Sequence, residues 1–148
     1  MAITVGHPAP DVPGASMSGP HALFFYKVTC PTCQMAAPAV DRFERAYPGR
    51  IVGVGQDPDG ALSAFSAEFG MSFPSRSDEP PYGSSNGYGI EHVPTLVVID
   101  GDGVIADVVE SWDRAGYNRA STTLAGLLAV ERATISEPAD GLPEFRPG

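Results

Sequence analysis

The chain contains two cysteines, Cys30 and Cys33, which are separated only by Pro31 and Thr32. This spacing is typical of thiols that form and break a disulfide during their chemistry. A short apolar run ends just before Cys30 and Pro31 suits the first position of a helix, so Cys30 is predicted near a helix N-cap. There the free N–H groups and the helix dipole would stabilise a thiolate. We therefore predict that Cys30 is the nucleophile and that Cys33, one helical turn further on, resolves the mixed disulfide.

Lys27 is the only lysine of the chain and lies three residues before Cys30. Its ammonium group would favour the thiolate form of Cys30 and so lower the pKa of that thiol. The alternative is that Lys27 is a solvated charge at the end of a strand, with no effect on the pKa of Cys30.

Two closely spaced cysteines have two other common uses, as half of a zinc site and as inert thiols in a core. Zinc would need two further ligands, and the histidines His7, His21 and His92 are scattered along the chain. Inert burial does not explain why the pair follows a strand and opens a helix. We predict no metal and no other cofactor.

The apolar pattern around the cysteines predicts alternating strands and helices. Strands are predicted at 22–26, 51–55, 95–99 and 104–109, and helices at 31–47, from 57 through 69, and at 113–132. Pro38 falls inside the first helix and should kink it. The turn Asp100-Gly-Asp-Gly103 should make the last two strands antiparallel. This order predicts an α/β sandwich with a mixed central sheet and helices on both faces.

Three segments are predicted along the chain. Residues 1–20 form an extended, turn-rich lead-in before the core begins, residues 21–132 form the domain, and residues 133–148 form a Pro-rich acidic tail, of which residues 137–148 carry no core. Within the domain, residues 72–90 are predicted as a loop with a short strand or a helical turn. The apolar face predicted for the last helix consists of Leu124, Leu127, Leu128 and Val130.

The charge and apolar patterns restrict the partners and the location. The chain has 148 residues and a formal net charge of −9, which disfavours nucleic acid and anionic membranes. The sequence shows neither an export signal at its start nor an apolar run of transmembrane length. As it stands, the sequence predicts a cytoplasmic monomer; a periplasmic or other extracytoplasmic location follows if a leader has been removed.

Several motifs resemble the thioredoxin superfamily, and within it the redoxin branch of TlpA-like and ResA-like proteins, which is related to the AhpC/TSA group. Phe24-Phe-Tyr26 stands where that family has its buried strand, and Pro38 falls five residues after Cys33, as the helix proline of thioredoxins does. Val93-Pro94-Thr95 resembles the family's cis-proline turn. Val5 to Asp11 and Ile99 to Gly103 look like the lead-in and the hairpin of the redoxin branch.

The resemblance implies a thioredoxin-like three-layer sandwich that exchanges disulfides with protein thiols and disulfides and is served by an upstream redox partner. It implies that Cys30 attacks and Cys33 resolves. It also implies a docking edge for protein substrates, formed by Pro31, Thr32, Val93, Pro94 and Thr95, where the backbone before the proline pairs with the substrate.

Three positions depart from the family pattern. Thr29 replaces a tryptophan that commonly precedes the first cysteine, Phe24 replaces the buried aspartate of thioredoxin, and Ala36 replaces the glutamate of ResA-like proteins. In the family these acids are thought to carry a proton to and from the second cysteine. Without them, deprotonation of Cys33 must use water or another group.

Two other functions on the same fold stay open. A peroxiredoxin-like peroxidase is suggested by Cys30-Pro-Thr32, although Lys27 and Leu23 stand where peroxiredoxins carry a threonine or serine and a proline. A redox-sensing or copper-binding module is the other alternative, with His92 as the suitably placed histidine.

Overall fold

The computed structural model describes residues 4–15 and 17–148, so residues 1–3 and 16 of the predicted lead-in lie outside the described residues. The strands are β1 (His21–Tyr26), β2 (Ile51–Gly55), β3 (Ser75–Ser77), β4 (Thr95–Ile99), β5 (Ile105–Glu110), β6 (Trp112–Asp113) and β7 (Phe145–Arg146). The helices are α1 (Pro31–Ala46), α2 (Asp59–Phe69), α3 (Gly83–Gly87) and α4 (Arg114–Leu128), and a short 3-10 helix spans Pro138–Asp140. Within the described ranges, no helix is long and apolar enough to cross a membrane.

A five-stranded mixed sheet, in the order β3-β2-β1-β4-β5, forms the centre of the fold. The central strand β1 is parallel to β2 and antiparallel to β4, and β4 and β5 are antiparallel as predicted. All six residues of β1 are buried, and the five from Ala22 to Tyr26 form the unbroken apolar run that suits a strand covered on both faces. Phe25 pairs with Thr95, so the residues that precede β4 lie beside those that follow β1.

Side chains of β1 alternate between two cores. Phe24 and Tyr26 lie in the larger core, together with side chains of α1, α2 and α4. Leu23 and Phe25 lie in the smaller core, where the ring of Phe25 packs 5.1 Å from the ring of Tyr88, the residue that follows α3. Helices therefore cover both faces of the sheet, which confirms the predicted layering.

The lead-in belongs to the smaller core, and the expectation that the core begins only after residue 20 is wrong. Val12 and Ala15 are buried in that core. The hydroxyl of Tyr88 donates a 2.6 Å hydrogen bond to the carbonyl of Pro10 and holds the lead-in in place. The physical reason is that α3 has only five residues, too few to cover this face of the sheet alone.

The tail also packs on the domain, so the expectation that residues 137–148 carry no core is wrong as well, because Leu142 packs against the larger core. Ile135 is fully buried in the larger core, and β7 pairs with β6 in an antiparallel ladder. The indole N–H of Trp112 donates a 2.8 Å hydrogen bond to the carbonyl of Pro143. The tail is therefore attached to the domain at several points.

The acidic composition of the tail does not keep it away from the domain, because the carboxylate of Asp140 is paired with arginines of the domain. Asp140 lies 3.3 Å from the guanidinium of Arg42 and 3.7 Å from that of Arg114. Burial opposes ionisation there, but hydrogen bonds from Ser136, from the backbone of Leu142 and from Arg42 lower the pKa of Asp140 to about 2.

The last helix is shorter than predicted. α4 ends at Leu128, and Ala129 follows it in a left-handed conformation with φ 56°, a common way for a helix to stop. Leu124 is fully buried and Leu128 is partly buried against the core. Leu127 and Val130 are 39% and 51% exposed, so the predicted apolar face is correct for only half of its residues.

Candidate active site

Cys30 is the N-cap residue of α1, in an extended conformation, and Pro31 takes the first helical position. The backbone N–H of Cys33 donates a 3.1 Å hydrogen bond to the Sγ atom of Cys30. Both thiols are free; Cys30 is half-buried, whereas Cys33 is fully buried in the larger core. The structure thus places the pair between a buried strand and a helix, with Cys30 as the more accessible thiol.

The surroundings of the two thiols separate their pKa values. A hydrogen bond with the side chain of Cys33 lowers the pKa of Cys30 to about 6, and the backbone N–H groups of Cys33 and Thr32 act in the same direction against the effect of burial. The positive charge of Arg146 also lowers it. Burial raises the pKa of Cys33, and the hydrogen bond with Cys30 raises it further. At neutral pH, Cys30 is therefore mainly a thiolate and Cys33 a thiol.

Two hydrogen bonds fix the loop between β1 and the cysteines. The carboxylate of Asp57 accepts a 2.9 Å hydrogen bond from the backbone N–H of Val28, and the side-chain amide of Gln34 donates one of 2.9 Å to the carbonyl of Val28. The sequence places Asp57 only at the start of the helix that is predicted from residue 57. That helix instead begins at Asp59, and Pro58 at its N-cap makes no side-chain hydrogen bond.

The peptide bond between Val93 and Pro94 is cis, as the resemblance implied. The register of β1 and β4 brings this turn against the cysteines, and the Sγ atom of Cys30 lies 3.5 Å from the carbonyl oxygen of Val93, to which it donates when it is in the thiol form. The hydroxyl of Thr95 donates a 2.6 Å hydrogen bond to the carbonyl of His92, which holds the turn closed. The structure therefore brings Cys30, Val93 and Pro94 together.

Residues of the tail also lie at the cysteine pair, and no local pattern in the sequence indicates this contact. The hydroxyl of Thr32 donates a 2.7 Å hydrogen bond to the carbonyl of Pro147. The guanidinium of Arg146 lies 3.8 Å from the sulfur of Met35 on α1. Among the predicted docking residues, Pro31 is exposed but Thr32 is only 3% exposed.

A scan of the sequence against protein-family models gives no match, and a search of curated proteins also gives none. Solved structures do match. DsbF of Mycobacterium tuberculosis, in mixed oxidised and reduced forms, is 26% identical, with 73% of this chain and 82% of that chain covered and a TM-score of 0.63. A secreted disulfide oxidoreductase of the same organism, homologous to E. coli DsbE, is 26% identical, with 62% and 68% covered and a TM-score of 0.54. A thiol:disulfide interchange protein of the thioredoxin family from Chlorobium tepidum is 20% identical, with 83% and 99% covered and a TM-score of 0.62.

The chain has a thioredoxin-like fold, and the solved structures that it resembles are thiol-disulfide oxidoreductases. Its paired cysteines and its likeness to these neighbours make it a thioredoxin-like thiol-disulfide oxidoreductase. The structure shows both the cis-proline turn and the mixed sheet that the resemblance to the thioredoxin superfamily implied.

The core that contains Cys33 has no acidic side chain at Phe24 or Ala36, the two positions where the resemblance would place one. Phe24 is fully buried and stacks on Tyr26 with the ring centroids 5.4 Å apart, and Ala36 is fully buried in the same core. The phenol of Tyr117 is also fully buried in this core, and its hydroxyl has no hydrogen-bond partner among the described residues. Burial raises the pKa of Tyr117, and the charges of the two cysteines and of Asp113 add to this effect.

The copper-binding alternative gains no support from this arrangement. No three His, Cys, Asp or Glu side chains come together as a possible metal site in residues 4–15 and 17–148. His92 is exposed, and it contributes its backbone carbonyl, not its imidazole, to the hydrogen bond with Thr95.

We expect Cys30 to titrate near pH 6 and its alkylation by iodoacetamide to fall about tenfold per pH unit below that value, because the thiolate is the reacting form.

Arg146→Ala should raise the pKa of Cys30, since it removes a positive charge that lowers it. The matched variant is Lys27→Ala, which should raise the pKa of Cys30 if the hypothesis from the sequence is right. In the structure, Lys27 contributes instead through its backbone, whose hydrogen bond at Cys33 lowers the pKa of Cys33. The measurement is thiolate absorbance at each pH, and an unchanged pKa in Arg146→Ala would contradict the structural assignment.

Proposed function

We propose that this thiol-disulfide oxidoreductase exchanges disulfides with protein substrates through the Cys30-Pro31-Thr32-Cys33 site, with Cys30 as the nucleophile and Cys33 as the resolving thiol. One observation carries the proposal: the Sγ atom of Cys30 accepts the backbone N–H of Cys33 and lies 3.5 Å from the carbonyl of Val93 at the cis-proline turn. The reactive sulfur therefore lies beside backbone that an extended partner chain could pair with.

The proposed exchange begins when the Cys30 thiolate attacks one sulfur of a partner's disulfide. The partner's S–S bond breaks, a mixed disulfide forms, and the released partner sulfur takes up a proton from water. Cys33 then loses its proton and attacks the Sγ atom of Cys30, which releases the second partner thiol. The partner has gained two electrons and two protons, and Cys30 and Cys33 have become a disulfide. The reverse sequence oxidises a partner dithiol.

The proposed docking edge consists of Pro31, Thr32, Val93, Pro94 and Thr95. Val93 is half-buried and Pro31 exposed, whereas Pro94 and Thr95 are buried. A partner segment in extended conformation would lie along Val93, where its scissile disulfide comes within reach of Cys30. The buried residues would position the turn rather than touch the partner.

For the location, the secreted neighbour supports the extracytoplasmic alternative over the cytoplasmic one. Disulfides persist in such compartments, so a protein that exchanges them finds its substrates there. The upstream redox partner would then restore Cys30 and Cys33 to one defined state after each turnover.

The proposal is tested by insulin reduction with dithiothreitol as the electron donor. We expect the chain to accelerate precipitation of the reduced insulin B chain well above the rate with dithiothreitol alone. The acceleration should be lost after full alkylation of Cys30. An equal rate with and without the chain, for insulin and for a scrambled ribonuclease alike, would contradict the proposal.

A further inference from the structure

The end of the tail lies across the proposed docking edge. We define residues 145–148 as the strap. Its Pro147 carbonyl accepts a 2.7 Å hydrogen bond from the hydroxyl of Thr32, which lies between the two cysteines. The Gly148 backbone lies against Val93 and Pro94. The strap therefore contacts both halves of the docking edge.

Three further contacts hold the strap in this position. Its first two residues pair with β6 in an antiparallel ladder. The backbone N–H of Gly148 donates a 3.2 Å hydrogen bond to the hydroxyl of Ser111, and Arg146 extends to Met35 on α1. Just before the strap, Pro143 accepts the indole N–H of Trp112. The strap is thus an ordered part of the fold, anchored at both of its ends.

The fit at Gly148 leaves no room for a side chain. A Cβ atom added there would overlap the carbonyl group of Val93 and come within 3.2 Å of the Pro94 ring. That carbonyl is also the group that faces the Cys30 thiol at 3.5 Å. A partner chain that pairs with Val93 would therefore have to occupy the space in which Gly148 now lies.

We propose that the strap is an autoinhibitory segment that a protein substrate must displace from the docking edge before Cys30 can attack. The proposal rests on the docking edge assigned under the proposed function. The strap has two opposite effects on Cys30: it covers the approach of a large partner, while the charge of Arg146 favours the thiolate. A small reagent should react faster with Cys30 because of the second effect, and the first effect should hinder it little.

Two maleimides separate these effects because they share the same reacting group. N-ethylmaleimide is small, and a maleimide that carries a polyethylene-glycol chain is bulky. Both react with the same thiolate, so the ratio of their rates with Cys30 cancels any change in the pKa of Cys30 and reports access alone. In the native chain we expect this bulky-to-small ratio to be lower than in variants whose strap is displaced or removed.

Gly148→Val should push the strap away from Val93 and raise the bulky-to-small ratio about threefold to tenfold, the effect of losing roughly one hydrogen bond. The matched control is Gly126→Val, at an exposed position of α4 where an added Cβ meets nothing within 4 Å. A second variant that ends at Glu144 removes the strap altogether and should raise the ratio at least as much. Gly148→Val, which keeps Arg146, should also accelerate insulin reduction.

The two proposals fail in different ways. If the native chain exchanges no disulfide with any protein, the proposed function is wrong, and the maleimide ratio still decides whether the strap covers Cys30. If insulin reduction is observed but Gly148→Val and the shortened chain leave both the ratio and the reduction rate at the level of Gly126→Val, the autoinhibitory strap is overturned.

Discussion

Cys30→Ser should lower the rate of disulfide exchange by at least about a thousandfold, because a serine hydroxyl is not ionised near neutral pH and cannot attack a disulfide. The native thiol has a pKa of about 6 and is mostly thiolate under the same conditions. The N-cap position itself should survive the change, since serine is a favoured N-cap residue and can accept the backbone N–H of Cys33. The loss would therefore report chemistry rather than misfolding.

Cys33→Ser is the matched control for this variant. It removes the resolving thiol from the core and keeps the attacking one, so exchange should stop after the first step and a mixed disulfide with the partner should accumulate. Non-reducing electrophoresis followed by mass spectrometry measures the adduct and the cysteine that carries it. An adduct formed through Cys33 in Cys30→Ser, or exchange by both variants at similar rates, would overturn the assigned roles.

Trp112→Ala should lower the free energy of unfolding by about 3–5 kcal/mol, the range for truncation of a large buried aromatic residue. Trp112 is fully buried, its ring packs 4.7 Å from that of Tyr117, and its indole N–H bonds to Pro143 of the tail. Truncation would therefore open a cavity and also release the tail from the domain.

Trp112→Phe keeps most of the apolar volume and loses the hydrogen bond, so it should cost only about 1–2 kcal/mol. Leu127→Ala, at a residue that is 39% exposed, should stay within about 0.5 kcal/mol. Urea unfolding of the reduced chain, followed by far-ultraviolet circular dichroism, measures all three variants, because Trp112 is the only tryptophan and its fluorescence is lost. Equal costs for the alanine and phenylalanine variants would contradict the packing described here.

The central part of the fold was predictable because its signals are local. The unbroken apolar run of β1 predicted a strand covered on both faces, and the residues around Pro31 predicted the start of α1. Asp57 could also have been placed at the site. It follows the end of β2, which runs parallel to β1, so their carboxyl ends must lie near each other.

The tail was not predictable, because composition does not show where a chain without periodic apolar residues will pack. Its one fully buried apolar residue is Ile135, and Leu142 is only partly buried. Most of its other attachments are hydrogen bonds and ion pairs to distant positions such as Trp112 and Arg42. For the same reason, the sequence indicates Lys27 rather than Arg146 as the cation near Cys30. Lys27 is close in sequence, whereas Arg146 is brought to the site only by the tertiary fold.

The unequal acidities of Cys30 and Cys33 fix the proton stoichiometry of the couple. Above about pH 6 the reduced pair holds one proton, on Cys33, so its oxidation releases two electrons and a single proton. Its midpoint potential should then fall by about 30 mV per pH unit, half of the roughly 59 mV per unit for glutathione, whose two thiols both release protons. Acidification toward pH 6 therefore makes this pair the better electron donor relative to glutathione, and alkalinisation makes it the better acceptor.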